Sequence, residues 1–303
     1  MSKTKMASEA KNPITLRMIM PEWQGGDYDT VPPTRLMYPL GARLLAFLAP
    51  ESENSVTVEV PIVPWNGEER TKTGGVVWQE NLLANLRAAK KLIAEHNPER
   101  IVTFGGECLV DQAPFDYLNG RYQGDVGVLW VDAHPDISTP QIHDREHALV
   151  LGNLLGGGDP VFSREVDHKF KPEQVLLIGV DRFENASEEA IVKDLGLARV
   201  LPKEITENSD PVLRWVKEKG FKHVVIHFDL DSLDPRFFYS ILLKAPGSDP
   251  FETPAGQLTV AQVSRLFKDI SGVVDVVGVG FTEHMPWDAL GLQEMMGSLS
   301  IMH

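Results

Sequence analysis

Hydrophobic residues along this chain follow two alternating patterns. ITLRMIM (14–20), VTVEVPIV (56–63), RIVTFGG (100–106), VGVLWVDAH (126–134), QVLLIGV (174–180), HVVIHFDLD (223–231) and VVDVVGVGFTE (273–283) are short apolar runs that read as strands, with ARVL (198–201) as a further short one. Several are apolar at consecutive positions, the pattern of strands covered on both faces. Between them lie segments with helical spacing: 75–96, where Trp78, Leu82, Leu86, Ala89 and Ile93 form a stripe, then 110–118, 144–155, 186–195, 210–219, 259–269 and 287–302. In the last of these Leu292, Met295, Leu299 and Met302 share one stripe, and its methionines read as core filling. The alternation predicts a three-layer α/β/α fold with a mostly parallel central sheet. Residues 13–303 are expected to form one domain, preceded by a polar, mobile stretch over 1–12.

Composition narrows the partners. The chain has 303 residues, 43% hydrophobic and 24% charged, which is ordinary for a folded globular protein. Its formal net charge of -14 disfavours nucleic acid and anionic membranes and favours cationic small molecules. Cys108 is the single cysteine, so no intramolecular disulfide can form. The opening MSKTKMASEAKNP has no apolar signal core, and no apolar run approaches the roughly 18 residues that span a bilayer. The expected location is the cytoplasm.

The candidate chemistry sits where two of these strands end. In VGVLWVDAHPD, a buried strand ends in Asp132 and His134, whose side chains share a face, with Asp136 just beyond. In HVVIHFDLDSLDP a second strand ends in Asp229 and Asp231. Carboxylates crowded at the mouth of a buried strand repel one another unless a cation lies between them. Four carboxylates and one imidazole suit a hard or borderline divalent ion such as Mn²⁺. In a parallel α/β sheet, ligands bind beyond these strand ends. Nearby segments add GGEC (105–108), His147 in EHA (146–148) and Glu283 in TEHMP (282–286).

The order GGEC, DAHPD, EHA, DLDSLDP and TEHMP resembles the arginase, agmatinase and formiminoglutamase (ureohydrolase) superfamily, whose signatures have the forms GGDH, DAHxD, HG, DxDxxDP and ExNP. The resemblance covers about residues 100–290. It implies two metal positions, one held by Asp132, His134, Asp229 and Asp231, the other by Asp132, Asp136, Asp229 and the residue at 108. It also implies a metal-activated hydroxide that attacks the planar carbon of a guanidinium or amidine. In that scheme Asp136 holds the nucleophile and passes its proton on, His147 shuttles protons, and Glu283 pairs with the cationic substrate. DISTP (136–140) is similar to the arginase DINTP, which implies that Ser138 and Thr139 bind the substrate's carboxylate end. A homo-oligomer acting on a small guanidino-type substrate is the family expectation.

The departures are local. Cys108 stands where the family carries a histidine ligand, and Glu107 where it carries Asp. A thiolate there would favour Zn²⁺, while a buried cysteine can equally be a small apolar filler. Ala148 replaces a Gly and Met285 an Asn. The connection from Pro235 to Thr253 is long and would cover the site or form a subunit contact. Two readings follow: a hydrolase cleaving a carbon–nitrogen bond, or a non-catalytic, regulatory member of the family that binds one metal.

Overall fold

A computed structural model describes residues 14–26, 34–67, 71–245 and 254–297. The elements are β1 (Thr15–Met20), α1 (Thr34–Leu48), β2 (Ser55–Glu59), β3 (Lys72–Thr73), β4 (Val76–Val77), α2 (Gln79–His96), β5 (Arg100–Gly105), α3 (Gln112–Arg121), β6 (Val126–Val131), α4 (Val150–Leu155), β7 (Val175–Ile178), α5 (Ala186–Asp194), β8 (Ala198–Val200), α6 (Asp210–Lys219), β9 (His223–Asp229), α7 (Val260–Ser271), β10 (Asp275–Thr282) and α8 (Asp288–Gly297). Eight strands form one sheet in the order β2-β1-β5-β10-β9-β6-β7-β8, and every neighbouring pair is parallel. The short β3 and β4 make a separate antiparallel hairpin.

Consecutive apolar residues serve opposite faces of this sheet. Val126, Val128 and Trp130 of β6 join one buried cluster with Leu82 and Leu86 of α2, Leu118 of α3 and Leu151 of α4. Leu129 and Val131, one position out of step, join another with Val212 and Val216 of α6 and Leu266 and Ile270 of α7. Side chains alternate across a strand, so a strand buried on both sides must be apolar throughout. The three-layer α/β/α arrangement follows.

The structure corrects several boundaries. The segment 75–96 is helical only from Gln79, because Trp78 has a left-handed backbone (φ 54°) and residues 72–77 form the hairpin. Segments 110–118 and 144–155 each begin with a turn of 3₁₀ helix, Cys108–Asp111 and Glu146–Leu149. Helix α1 was not anticipated. Its sequence RLMYPLGARLLAFL is apolar nearly all round and is broken by Pro39, so it lacks the polar contrast that marks a helix. The stripe of α8 is not core filling: Leu292 and Met295 are 53% and 60% exposed, while Leu299 and Met302 lie outside the described residues, as does the stretch 1–12. Among the described residues no helix is long and apolar enough to cross a membrane.

Candidate metal centre

Strands β6 and β9 are neighbours, and their register sets Trp130 opposite His227 and Val131 opposite Phe228. The next positions on the Trp130/His227 face are Asp132 and Asp229. Adjacent strands lie only about 4.8 Å apart, so this register brings the two carboxylates side by side. Both are held by local bonds. Asp132 accepts from Trp130 Nε1 at 3.1 Å and from the His134 amide at 2.7 Å. Asp229 accepts from the Asp231 amide at 2.7 Å and from the Cys108 thiol at 3.0 Å.

Two donor groups share Asp132; Asp229 falls in neither, though its carboxylate lies 3.0 Å from the Cys108 thiol. In the first, Asp132, His134 and Asp231 each offer an atom within 4.8 Å of the others, and His134 Nδ1 lies 3.0 Å from Asp231. In the second, Cys108, Asp132, Asp136 and His227 do the same. Cys108 is carried there by the 3₁₀ turn after β5. Gly106 permits that turn, since a Cβ on it would overlap the Glu22 carbonyl. Glu107 accepts from the Leu109 amide and caps the turn, its chain buried and turned from the site.

The electrostatics of these groups call for a cation. Burial, then the neighbouring charge of Asp231, pushes Asp229 up to about 7. Burial and Asp132 drive Asp136 well above the carboxylate range. Burial, Asp136 and Asp229 raise the Cys108 thiol. Burial opposes a charge on His134, but Asp231 overrides it and raises the imidazole. Asp136 Oδ2 is buried without a hydrogen-bond partner among the described residues, as are His134 Nε2 and the Nε2 of His227. Buried carboxylates and imidazoles that leave such atoms unsatisfied fit a divalent ion by the chemistry of the donor set.

His147 and Glu283 face each other on the other side of Cys108, with His147 Nδ1 3.7 Å from Glu283 Oε1. Burial, then the charges of His143, His134 and Arg145, holds His147 well below the usual imidazole value, so it is neutral at pH 7. Burial and Asp229 raise Glu283 well above the usual carboxylate value. Glu283 and Asp136 both have left-handed backbones, φ 61° and 44°. Such strain in residues other than glycine concentrates where function holds it in place.

Ser138 and Thr139 are not brought to the pocket wall. The Ser138 hydroxyl is fully buried and donates to Glu188. The Thr139 carbonyl accepts from the Ile142 and His143 amides. The wall instead includes Glu184 and Glu188, with Leu242 and Leu243 from the long connection after Pro235; residues 246–253 of that connection lie outside the described ones. The sequence reading missed His227, Asp111, Glu184 and Glu188. For His227 a signal existed: it precedes Asp229 by two and so shares its face. Glu188, in the first turn of α5, looked like any acid at a helix start.

Solved structures share this fold. The arginase of Entamoeba histolytica, in complex with L-ornithine, matches with a TM-score of 0.74 at 15% identity, over 90% of this chain and 92% of that one. The arginase of Bacillus caldovelox matches with a TM-score of 0.70 at 19% identity, over 90% and 91%. In sequence, the Bacillus caldovelox arginase is 29% identical over 188 residues, 57% of this chain and 62% of the relative. That of Staphylococcus aureus is 24% identical over 202 residues, 63% of each chain. These alignments span less than two thirds of the curated relatives' length. The Arginase family model matches residues 49–288. The chain belongs to the Arginase family.

Proposed function

We propose that this protein is a metal-dependent amidinohydrolase that cleaves a carbon–nitrogen bond of a guanidino or amidino compound, releasing urea in the simplest case. One observation carries the reading: buried Asp132, Asp136, Asp229 and Asp231 and half-buried His134 converge at the ends of two neighbouring strands, with Asp136 Oδ2 and His134 Nε2 unpaired among the described residues. Asp132, His134, Asp229 and Asp231 would hold one ion, and Asp132, Asp136, Asp229 and Cys108 the other, with Mn²⁺ the natural occupant of the oxygen-rich position and Zn²⁺ suited to the sulfur. When bound, such ions polarise the substrate and bring a water's pKa toward neutrality.

The chain's own residues do the rest. Asp136 Oδ2 accepts the proton of the attacking water and returns it to the leaving nitrogen. His147, neutral at pH 7, carries protons between the pocket and solvent through its unpartnered Nε2. Glu283 pairs with the incoming guanidinium, whose charge offsets the burial and neighbouring carboxylates that raise its pKa. Elsewhere in the pocket, Ser138 is already engaged, and Glu188 Oε2 is buried and unpaired among the described residues. With Glu184 also in the wall, that part favours an amine over a carboxylate.

The test is urea release after reconstitution with Mn²⁺ or Zn²⁺, over agmatine, arginine, guanidinobutyrate and guanidinopropionate. Agmatine is expected to turn over fastest. Tight metal binding with no urea from any of the four would favour the regulatory reading over the enzymatic one.

A further inference from the structure

The second donor group lacks the histidine that the resemblance leads one to expect at position 108, yet an imidazole is present. His227 lies on β9, two residues before Asp229 on the same face, and is fully buried. Its ring is fixed on two sides. It stacks on Trp130 with ring centroids 3.7 Å apart and 13° between planes. Its Nδ1 lies 2.8 Å from Asp111 Oδ2, and Asp111 is itself fully buried. Gly280 of β10 clears the space for that carboxylate, because a Cβ there would overlap both of its oxygens.

The opposite nitrogen, Nε2, has no hydrogen-bond partner among the described residues. It lies 3.5 Å from Asp132 Oδ2 and within 4.8 Å of donor atoms of Asp136 and Cys108. A carboxylate on one ring nitrogen with the other aimed into a cluster of anionic donors is the arrangement of metal-binding histidines, where the carboxylate fixes tautomer and orientation.

We propose that His227 is a metal ligand, which adds an imidazole nitrogen to Cys108, Asp132 and Asp136 beside the carboxylate of Asp229, and that Asp111 is its positioning residue. The nitrogen donor absent at position 108 is thus supplied from the neighbouring strand. One sulfur and one imidazole among these donors suit Zn²⁺ better than Mn²⁺. This inference rests on the proposed metal-dependent function, but it concerns one ligand of one ion and can fail separately.

The experiment is cadmium-113 NMR of the protein labelled with nitrogen-15 in its histidine rings, together with Zn²⁺ titration of wild type, His227→Gln and Asp111→Asn. Wild type is expected to bind two ions. The cadmium resonance shifted by sulfur should show coupling to a ring nitrogen. His227→Gln should lose that ion and keep the one at Asp132, His134 and Asp231. Asp111→Asn should keep both, with about 10- to 100-fold weaker affinity for the sulfur-bound one. The wild-type spectrum does not depend on any variant folding. A sulfur-shifted resonance without nitrogen coupling would overturn the proposal, and so would two ions of undiminished affinity in His227→Gln. If wild type binds one ion, at Asp132, His134 and Asp231, and releases urea, the enzymatic reading stands and this proposal falls, with His227 then a buried cation in place of the second metal. If wild type binds no ion, both fall.

Discussion

Single residues here are tuned by what surrounds them more than by what they are. His227 shows this most clearly. Burial opposes its charge, but the hydrogen bond to Asp111 and the charges of Asp111 and Asp132 prevail, and its pKa rises to about 10. His147 in the same pocket is driven the other way, by burial first and then by the charges of His143, His134 and Arg145. Glu283 is the simplest test of the proposed substrate contact. Glu283→Gln keeps the shape and loses the charge, so kcat/KM should fall about 10- to 100-fold, matching the ~1.5–3 kcal/mol of a hydrogen bond to a charged group. Metal content measured alongside should not change; its loss would make Glu283 a ligand instead. Asp229→Ala should abolish tight metal binding, because the proposed arrangement gives this carboxylate to both metal positions. Its metal-free form should melt no lower than metal-free wild type at pH 8, since one member of a repelling cluster is gone. Full metal occupancy in that variant, read by elemental analysis, would remove Asp229 from the site.

At the scale of elements, the site depends on where the strands end and on what is missing from them. The candidate ligands follow the last apolar positions of β6 and β9, so the rigid sheet fixes their separation. Strand β10 contributes by its glycines. Gly280 is required because Asp111 occupies the space above it. Gly280→Ala should therefore cost about 1–3 kcal/mol in chemical denaturation, the usual penalty for overpacking. Asp111 would be displaced, so the Zn²⁺ affinity of the variant should fall as well. Unchanged stability and affinity would mean that β10 moves aside freely. The left-handed turns at Asp136 and Glu283 belong to the same scale: each sits just past a strand end, where the chain bends to aim a carboxylate back over the sheet.

For the whole molecule, the buried acids link stability to pH and to metal. Asp229 titrates near 7 in the folded state, against about 3.9 for an unperturbed Asp. A raised carboxyl pKa stabilises the fold fully below the unfolded value, and that contribution is lost as pH rises through about 7. Asp136, Glu107 and Glu283 are raised by burial and neighbouring acids and act in the same direction. The chelated protein should therefore lose Tm between about pH 5 and pH 8, and added Mn²⁺ or Zn²⁺ should flatten or reverse that slope. A Tm that is equally pH-independent with and without metal would contradict the charge-crowding account. Much of this was legible in the chain itself. Strand ends and consecutive apolar runs are local patterns, so the parallel three-layer fold and the ligand motifs of DAHPD and DLDSLDP could be read in order. The helical stripe of α8 and the largely apolar α1 misled, because apolarity does not say what covers it. Only the tertiary structure decided that β6 and β9 are neighbours in register. Only it brought Asp111 to His227 across 116 positions of sequence and turned Ser138 toward Glu188 and away from the pocket. A sequence pattern carries the period of its own element, whereas which elements meet is set by the packing of the sheet and its two covering layers.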